Sequence, residues 1–516
     1  MRSISSIIIK ALALSLALCL IVPSALATTM DDTLTLGMIS VKTQSLNPLV
    51  SQEREFQSLT ALMYEGLYSL DDDYKPQLCL AEKCATTNDG KTWTVTMRQD
   101  IYFHDGTPCT AYDAAATIQE ILRLAEEGQG QYAQLKYFIS SAKANDATTL
   151  ILSVSRPYYG TYFALTFPIL PRDQVQSTTP LGTGPFKLDQ FIPTDYLYLS
   201  ANERWHGGEP SVKNINVLFK NTNRELITEY EYNRVDAAIT RSASAGQYRT
   251  GLTNLNITYR TRQLETLLFN YREYPLEDEK IRKAIRYAID LDTIASRVYM
   301  GMAQRTDTPL PSGTWMYREN DSAYEYNPEK AKQLLAEAGW EHLDDDGTLD
   351  KIVDGKAKRL QLRIYVYEEQ DNSVRVQVAN LISDYLADVG IAAPVHTESY
   401  SSIKERLQKK NFDMCIAAFQ MDVCPDPGFL LMSGNTGNFG SYKSTQMDNL
   451  FKTLRKAMDL STYQSTLYQI QDQFAQDCPF ICMYYRSGAL LTRKVFTTVR
   501  DVREPEVLRG IEAIGN

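Results

Sequence analysis

The sequence predicts an α/β fold of more than one domain, and three observations predict it. Its 516 residues exceed what one core accommodates and indicate two to four domains. Segments of helical period alternate with short apolar or period-two runs, the pattern of helices packed on sheets. The composition, 44% apolar and 22% charged, is that of globular material rather than a disordered or membrane-embedded chain. A formal charge of −10 and a pI near 5.2 argue against nucleic acid or an anionic membrane as partner, since both require a basic face. Tyrosine is the outlier at 32 residues, and its ring and hydroxyl suit ligand grooves as well as cores.

The first residues read as an address. Arg2 and Lys10 flank the start, Ala11 to Val22 is apolar, and Ala25-Leu26-Ala27 fits the small-x-small cleavage pattern of a secretory signal peptide. The mature chain is expected to begin at Thr28. Lipoprotein processing at Cys19 is the rival reading, opposed by the bulky Leu18 before it and by the apolar run continuing past it. No other stretch approaches the roughly 20 apolar residues of a membrane span, so the expected mature protein is exported and soluble. Seven cysteines remain without Cys19, an odd number. Cys79 with Cys84 and Cys415 with Cys424 are the local pairs open to a bridge in an oxidising compartment, whereas Cys478 and Cys482 stand too far apart on an extended strand. With no C-x-x-C spacing, and with His104, His206, His342 and His396 scattered, neither a metal nor another cofactor is expected.

Thr33 to Ile39 alternates and reads as a strand; a turn at Asn47-Pro48 and a helix from about Glu53 to Tyr68 follow. Then come Tyr64-Glu65-Gly66-Leu67, the acidic turn Asp71-Asp72-Asp73, Asn88-Asp89-Gly90-Lys91-Thr92-Trp93, and the run from Met97 through Phe103-His104-Asp105-Gly106-Thr107-Pro108 to Thr110-Ala111-Tyr112-Asp113. Asp105-Gly106 supplies a tight turn, Thr110 an N-cap, Asp113 a favourable charge in the first helical turn, and Gly128 a stop. His104 is read as a turn residue held by hydrogen bonds. Gly182-Thr183-Gly184-Pro185 lacks the Gly-Lys-Ser/Thr of a phosphate loop and runs into a strand, so a nucleotide role is excluded. Ala201-Asn202-Glu203-Arg204-Trp205 follows.

From Thr266 the texture changes. Leu267 to Asn270 reads as a short strand, and Lys280 to Tyr299 as a helix with Ile281, Ala284, Ile285, Ala288 and Ile289 on one face. Asn327-Pro328 caps and starts a helix that Gly339 stops. Asp344 to Gly347 is read as a hairpin tip rather than a calcium loop, because His342 and Val353 occupy the first and twelfth ligand positions. Gln361 to Tyr367 is a strand, Ser373 to Val389 a helix ended by Gly390, Pro394 to Glu398 a strand, 461 to 477 a helix, and Phe480 to Tyr485 a strand. Ser401-Ser402-Ile403-Lys404 lacks the partner motifs of a Ser-x-x-Lys enzyme, and Gly-x-Ser-x-Gly, His-Glu-x-x-His and dinucleotide fingerprints are missing. The expected class is a binding module, not an enzyme.

Met414 to Phe419 is an apolar run short enough for a buried strand, and the chain then turns on Pro425 and Pro427. That places Asp422 past the carboxyl end of a strand, where open α/β sheets bind ligands. The residue has two readings. It caps the next element or bonds local backbone N–H groups, or it is the fixed negative end of a pocket for a cation such as an amino group.

These motifs, in this order and over nearly all of the mature chain, resemble the extracytoplasmic solute-binding proteins of family 5, the oligopeptide- and dipeptide-binding components of ABC importers. The Arg-x-Ala-x-x-x-Ala-x-Asp helix from Arg282 to Asp290 and the Asn-Pro-x-Lys-Ala helix at Asn327 are similar to that family as well. The resemblance implies a two-lobed periplasmic-binding-protein-like α/β fold of class II type with an extra subdomain in the first lobe. The expected division is signal peptide 1–27; lobe I at 28–72, with its extra subdomain at 73–180 and second part at 181–265; lobe II at 266–483; and a return to lobe I at 484–516. A hinge is expected near Arg262 to Thr266 and Tyr484 to Ser487.

In the family a ligand's amino terminus pairs with an aspartate after a Trp-x-x-Asp segment. This carries over to Phe419-Gln420-Met421-Asp422, with Phe419 replacing Trp. Asn438 and Tyr442, in a similar Asn-x-x-x-Tyr stretch, and Tyr484 and Tyr485 at the return crossing are weaker lining candidates. Dipeptide binders of the family place an arginine after the strand matching Leu362 to Tyr367, whereas this chain has Glu368-Glu369, with Arg375 the nearest basic residue downstream. That departure leaves a longer peptide, an amidated ligand or a cationic solute open. The implied function is a monomeric periplasmic or cell-surface protein that captures peptides and delivers them to an ABC permease and ATPase complex. Its alternatives are a nickel chelate, haem, an oligosaccharide or an opine as ligand and, more remotely, an envelope hydrolase or folding helper.

Overall fold

The computed structural model describes residues 32–513 except 41, 252–253, 320–323, 343–344, 370–372 and 494–501, so the signal-peptide expectation falls outside the described residues. Two strands organise the rest. Leu255–Phe269 and Phe480–Thr492 lie antiparallel along almost their whole length, at the centre of an eleven-stranded sheet. On one side Phe480–Thr492 pairs with Ala237–Thr240, and Thr33–Ile39, Asn214–Lys220, Tyr196–Ala201 and Phe186–Ile192 follow in order. On the other side Leu255–Phe269 pairs through Gln263 to Phe269 with Met414–Gln420, which leads to Ile364–Tyr367 and Val395–Glu398.

Each lobe packs its own core on its half of this sheet. The first-lobe core gathers Leu34, Phe56, Trp93, Ile118, Phe186 and Val217; the second-lobe cores gather Ile285, Leu335 and Ile382 on one face of the sheet and Leu268, Phe451 and Tyr463 on the other. A separate four-stranded antiparallel sheet, in the order Ala81–Thr86, Thr92–Met97, Thr149–Val154 and Ile139–Ala144, shares the first-lobe core. The fold is the expected two-lobed α/β arrangement.

Local chemistry accounts for most elements. Helix Ala111–Glu126 starts in a capping box of Thr110 and Asp113, and Gly128 takes a φ of 71° after its end. Helix Pro328–Glu337 starts with the Asn327 side chain accepting from the Lys330 N–H at 2.9 Å. The segment Lys280 to Tyr299 is two helices, Glu279–Ala288 and Leu291–Arg297, because Asp290 caps the second one. The helix expected to reach Tyr68 ends at Met63. The acidic run lies between Glu341 and Asp350, which exchange backbone hydrogen bonds as an antiparallel bridge, and a second hairpin turns at Asp354-Gly355, both of positive φ.

Gly182-Thr183-Gly184 is a packing device: a Cβ on Gly182 would stand 1.9 Å from the Met63 carbonyl oxygen. Thr183 hydrogen-bonds Glu65, which also accepts from Trp205 at 3.1 Å and lies 2.9 Å from His206, so three separated sequence motifs meet on one carboxylate. The seven described cysteines are free thiols, Cys79, Cys84, Cys415 and Cys424 among them. Among the described residues no helix is long and apolar enough to cross a membrane.

The crossing strands break register between Arg260 and Leu264, paired with Ser487 and Tyr485, so three residues, Thr261 to Gln263, face Arg486 alone. Thr261 donates its hydroxyl to the Arg486 carbonyl at 2.8 Å across this bulge. Beside it the Glu265 carboxylate is fully buried and takes two bonds from Arg375, at 2.7 and 2.9 Å. Burial opposes the Glu265 charge, and Arg375 more than offsets it, so its carboxyl lies below the usual range.

This pair predicts a specific asymmetry in urea unfolding. Arg375→Met, which strands a buried carboxylate, should cost about 3–5 kcal/mol, and adding Glu265→Leu should restore much of it. A double variant as unstable as the single one would refute the pairing. His104 gives a second test. Its ring lies between Gly184 O, 3.2 Å from Nε2, and the Gly182 N–H, which donates to Nδ1 at 3.4 Å, and burial lowers its pKa to about 4. Above pH 6.5 folded and unfolded chains both hold it neutral; between 6.5 and 4 only the unfolded chain takes the proton, so stability is lost on acidification. The stability lost from pH 7 to 4.5 should therefore be smaller in His104→Asn, by about 2 kcal/mol at most. An equal loss would show that the ring titrates as if unfolded.

Candidate functional site

A cavity of about 640 Å³, counting its open mouth, lies at the crossing of the two lobes. Its floor is Arg260 and the first two bulge residues, Thr261 and Arg262, together with Tyr485. One wall is the segment Met421 to Pro427 with Phe429, a second is Pro309 to Pro311 with Met316, and Tyr74 and Glu504 come from the first lobe. The lining is mainly apolar with a few charged groups, the usual make-up of a small-molecule pocket.

The sheet positions the wall. Strand Met414–Gln420 runs beside the crossing strand, and the Met421 N–H donates to the Arg262 carbonyl at 2.8 Å, so Asp422 leaves the sheet beside the bulge. Asp422 Oδ1 accepts the Cys424 N–H at 3.1 Å, an Asx-type turn that holds the segment in shape. Its side chain is otherwise exposed, and among the described residues no cation pairs with it. The other two lining acids are committed. Asp426 takes Arg455 at 2.6 and 2.9 Å and the Gly428 N–H at 3.0 Å. Glu504 takes Arg54 at 2.8 and 3.1 Å, Arg241 at 2.8 Å and the Arg262 N–H at 3.0 Å. Burial works to raise the Glu504 carboxyl, but Arg241 and Arg54 win and hold it down to about 2.

The same segment reaches the first-lobe side. The Tyr158 hydroxyl lies 3.5 Å from Asp426 Oδ2 and 3.9 Å from Cys424 Sγ, and the Tyr159 N–H donates to Ala457 O at 2.7 Å. Cys424 Sγ also donates to Gly160 O at 3.7 Å. Burial raises this thiol far above its ordinary value, so it is packing material rather than a nucleophile.

The structure brings Met421, Asp422 and Tyr485 together at the cavity and places the other sequence candidates elsewhere. Phe419 stacks on Phe439 at 6.2 Å, and Gln420 is exposed at the strand end. Asn438 is buried, with its amide donating to Met432 O and Tyr442 O, and Tyr442 donates its hydroxyl to Asp477. Tyr484 is fully buried against Tyr299 in a second-lobe core. The lining residues missed from sequence are Arg260, Arg262, Tyr74 and Glu504. They are distant from Asp422 in the chain, and only the paired crossing strands and the C-terminal return assemble them.

A second cavity, of about 1280 Å³, opens in the first lobe beside Glu65, Cys79, Arg98 and His206. Among the described residues Glu65, Cys79 and His206 are the one group whose potential ligand atoms lie within 4.8 Å of one another. Arg98 lies 3.3 Å from His206 Nδ1 and has only N–H groups to offer, so Nδ1 accepts and the proton sits on Nε2, facing Glu65. In that tautomer both ring nitrogens are occupied by hydrogen bonds, and no lone pair is free for an ion.

Residues 75–441 match the family of bacterial extracellular solute-binding proteins, family 5 (middle). The chain is 26% identical over 468 residues to the oligopeptide-binding protein AppA of Bacillus subtilis, covering 85% of this chain and 83% of that protein. It is 23% identical over 514 residues to the probable D,D-dipeptide-binding periplasmic protein DdpA of Escherichia coli, covering 93% and 94%. Among solved structures it resembles AppA of B. subtilis in complex with a nonapeptide (TM-score 0.69, 22% identity, 93% of this chain and 98% of that one) and NikA of Brucella suis in complex with Fe(III)-EDTA (TM-score 0.80, 19% identity, 93% and 99%). With a family match over most of its length, a two-lobed fold and a cavity at the crossing, this chain belongs to the family-5 bacterial extracellular solute-binding proteins.

Proposed function

We propose that the protein captures peptides between its two lobes and delivers them to the permease and ATPase of an ABC transporter, acting as a monomeric binding protein rather than an enzyme. One observation carries the peptide reading: Asp422 is the single acid of the cavity lining that the described residues leave without a cation. Asp422 stands at the cavity with capacity for a cation, and the ammonium of a peptide's amino terminus would pair with it through a charge-assisted hydrogen bond. The names of the relatives, oligopeptide- and dipeptide-binding proteins, agree with this ligand class. The bulge at Thr261 to Gln263 supports a hinge there, and the Tyr158 and Tyr159 contacts support lobes that close around the ligand.

Titration calorimetry with peptides in free and N-acetylated forms tests the assignment. Asp422→Asn should weaken a free-amine peptide by about 10- to 100-fold and leave the acetylated form nearly unchanged. Equal losses would reduce Asp422 to its turn, and an absence of heat from every peptide with the fold intact would remove the peptide reading. In that case the mass of a ligand retained on purified protein would identify another solute, such as a metal chelate.

A further inference from the structure

The lobes meet a second time, through residues outside the crossing strands. After strand Thr149–Val154 the chain leaves the four-stranded sheet, and the segment Tyr158 to Phe163 sends its rings into the second lobe. Tyr158 is buried as a member of the second-lobe core that holds Leu268, Phe451 and Tyr463, not of the core of its own lobe. Its ring stacks on Phe138 at 5.8 Å and meets Tyr463 at 6.1 Å, and Tyr159 meets Tyr463 at 5.5 Å. Beside them buried Phe163 and Leu70 pack on Cys424, with Trp315 against the group. The Tyr463 hydroxyl donates to Pro425 O at 3.1 Å and lies 3.8 Å from Cys424 Sγ. Burial raises the Tyr158 and Tyr463 phenols, like the Cys424 thiol, far above their ordinary values, so these polar atoms are neutral.

Interfaces between domains of one chain are usually polar, and relative motion is their default unless the contact is hydrophobic. This contact is of the hydrophobic kind. Separating the lobes brings Tyr158, Phe163, Tyr463 and Cys424 into water together and breaks the 2.7 Å bond from the Tyr159 N–H to Ala457 O. Tyr158, Tyr159, Phe163 and Tyr463 do not line the cavity, so the stabilisation they supply is independent of what the cavity holds. We propose that the segment Tyr158 to Phe163 is a latch that holds the two lobes closed on its own, so that the closed arrangement is the resting state and opening is the rarer, activated event. The latch acts whatever solute the protein carries, and it therefore goes beyond the peptide reading. Any solute exchange that requires separated lobes runs no faster than the latch parts.

Thiol labelling tests this without any peptide. The purified protein, its native mass equal to that of the chain alone, is treated with an aromatic disulfide, and the rate at each cysteine is read by peptide mapping. Cys424 lies beneath Tyr158 and Tyr463, so its labelling reports the latch. Native Cys424 should react about 100-fold or more slowly than in the urea-unfolded chain. Tyr158→Ala should speed it by about tenfold or more while buried Cys415 and Cys482 stay protected, and should enlarge the radius of gyration in small-angle scattering. Native labelling as fast as in the unfolded chain would overturn the latch, and so would an unchanged rate in the variant or a faster rate at unchanged radius. If the variant fails to fold, scattering of the native protein alone decides: its radius should be that of closed lobes before any peptide is added. A larger radius that contracts on adding peptide would overturn the latch and leave peptide binding standing. Closed lobes with no heat from any peptide would support the latch and remove the peptide reading.

Discussion

The hydrogen bonding between Leu255–Phe269 and Phe480–Thr492 is the constraint on which the rest of the molecule depends. Because both strands run from one lobe's core into the other's, the lobes are halves of one sheet rather than beads on a linker. The ladder is interrupted at the three-residue bulge opposite Arg486 and again between Glu265 and Thr266, and the proposed hinge is placed at these breaks. The buried Glu265–Arg375 pair stands immediately beyond the first of them and fixes the second-lobe end of the strand. The proposed site and the proposed hinge therefore adjoin, because Arg260, Thr261 and Arg262 at the bulge also line the cavity.

Charge within that space is distributed unevenly, and the unevenness carries the chemistry. Glu504 collects two guanidiniums and one backbone N–H, which keeps it ionised and fully occupied in a buried position. Asp426 is similarly spent on Arg455. Asp422 differs because its structural use, a single bond from Oδ1 to the Cys424 N–H, occupies only part of its capacity. The two sequence readings of this residue are thus compatible: the turn holds the carboxylate in place, and the residue remains part of the cavity lining.

Much of the fold was legible because it is written in local chemistry. The Thr110–Asp113 capping box, the Asn327 cap and the left-handed glycines at 106, 128 and 339 act within a few residues of themselves, and each marks its element in the sequence. The crossing strands were only half legible. The polar stretch from Tyr259 to Gln263 and the Ser487-Gly488 pair interrupt the apolar pattern, so each strand read as its second-lobe half alone. Those interruptions form the bulge and part of the cavity lining. For the site, Asp422 was recoverable from its place after a buried strand, but Tyr484 was not separable from Tyr485. Alternation along an extended strand puts Tyr485 at the cavity and Tyr484 in the core, and a sequence alone does not say which face is which. Arg260 and Arg262 were not recoverable as lining residues because only the pairing of the crossing strands brings them beside Asp422.

The segment from Met421 to Asp426 joins these threads, because three demands fall on six residues. Met421 docks it on the crossing strand, Asp422 faces the ligand space, and Cys424 and Asp426 meet Tyr158 and Gly160 from the first-lobe side. A ligand that draws Asp422 inward therefore acts on the same short piece of backbone whose neighbours make the contacts between lobes. Asp426 bears on both sides of this arrangement, since it accepts from Arg455 and lies 3.5 Å from the Tyr158 hydroxyl. On the proposed reading, ligand binding and closure would be coupled through a stiff turn with two prolines rather than through a distant relay. The differential contact that population shift requires would then be local, made by Asp422 and the Tyr158 contact at the two ends of one short segment.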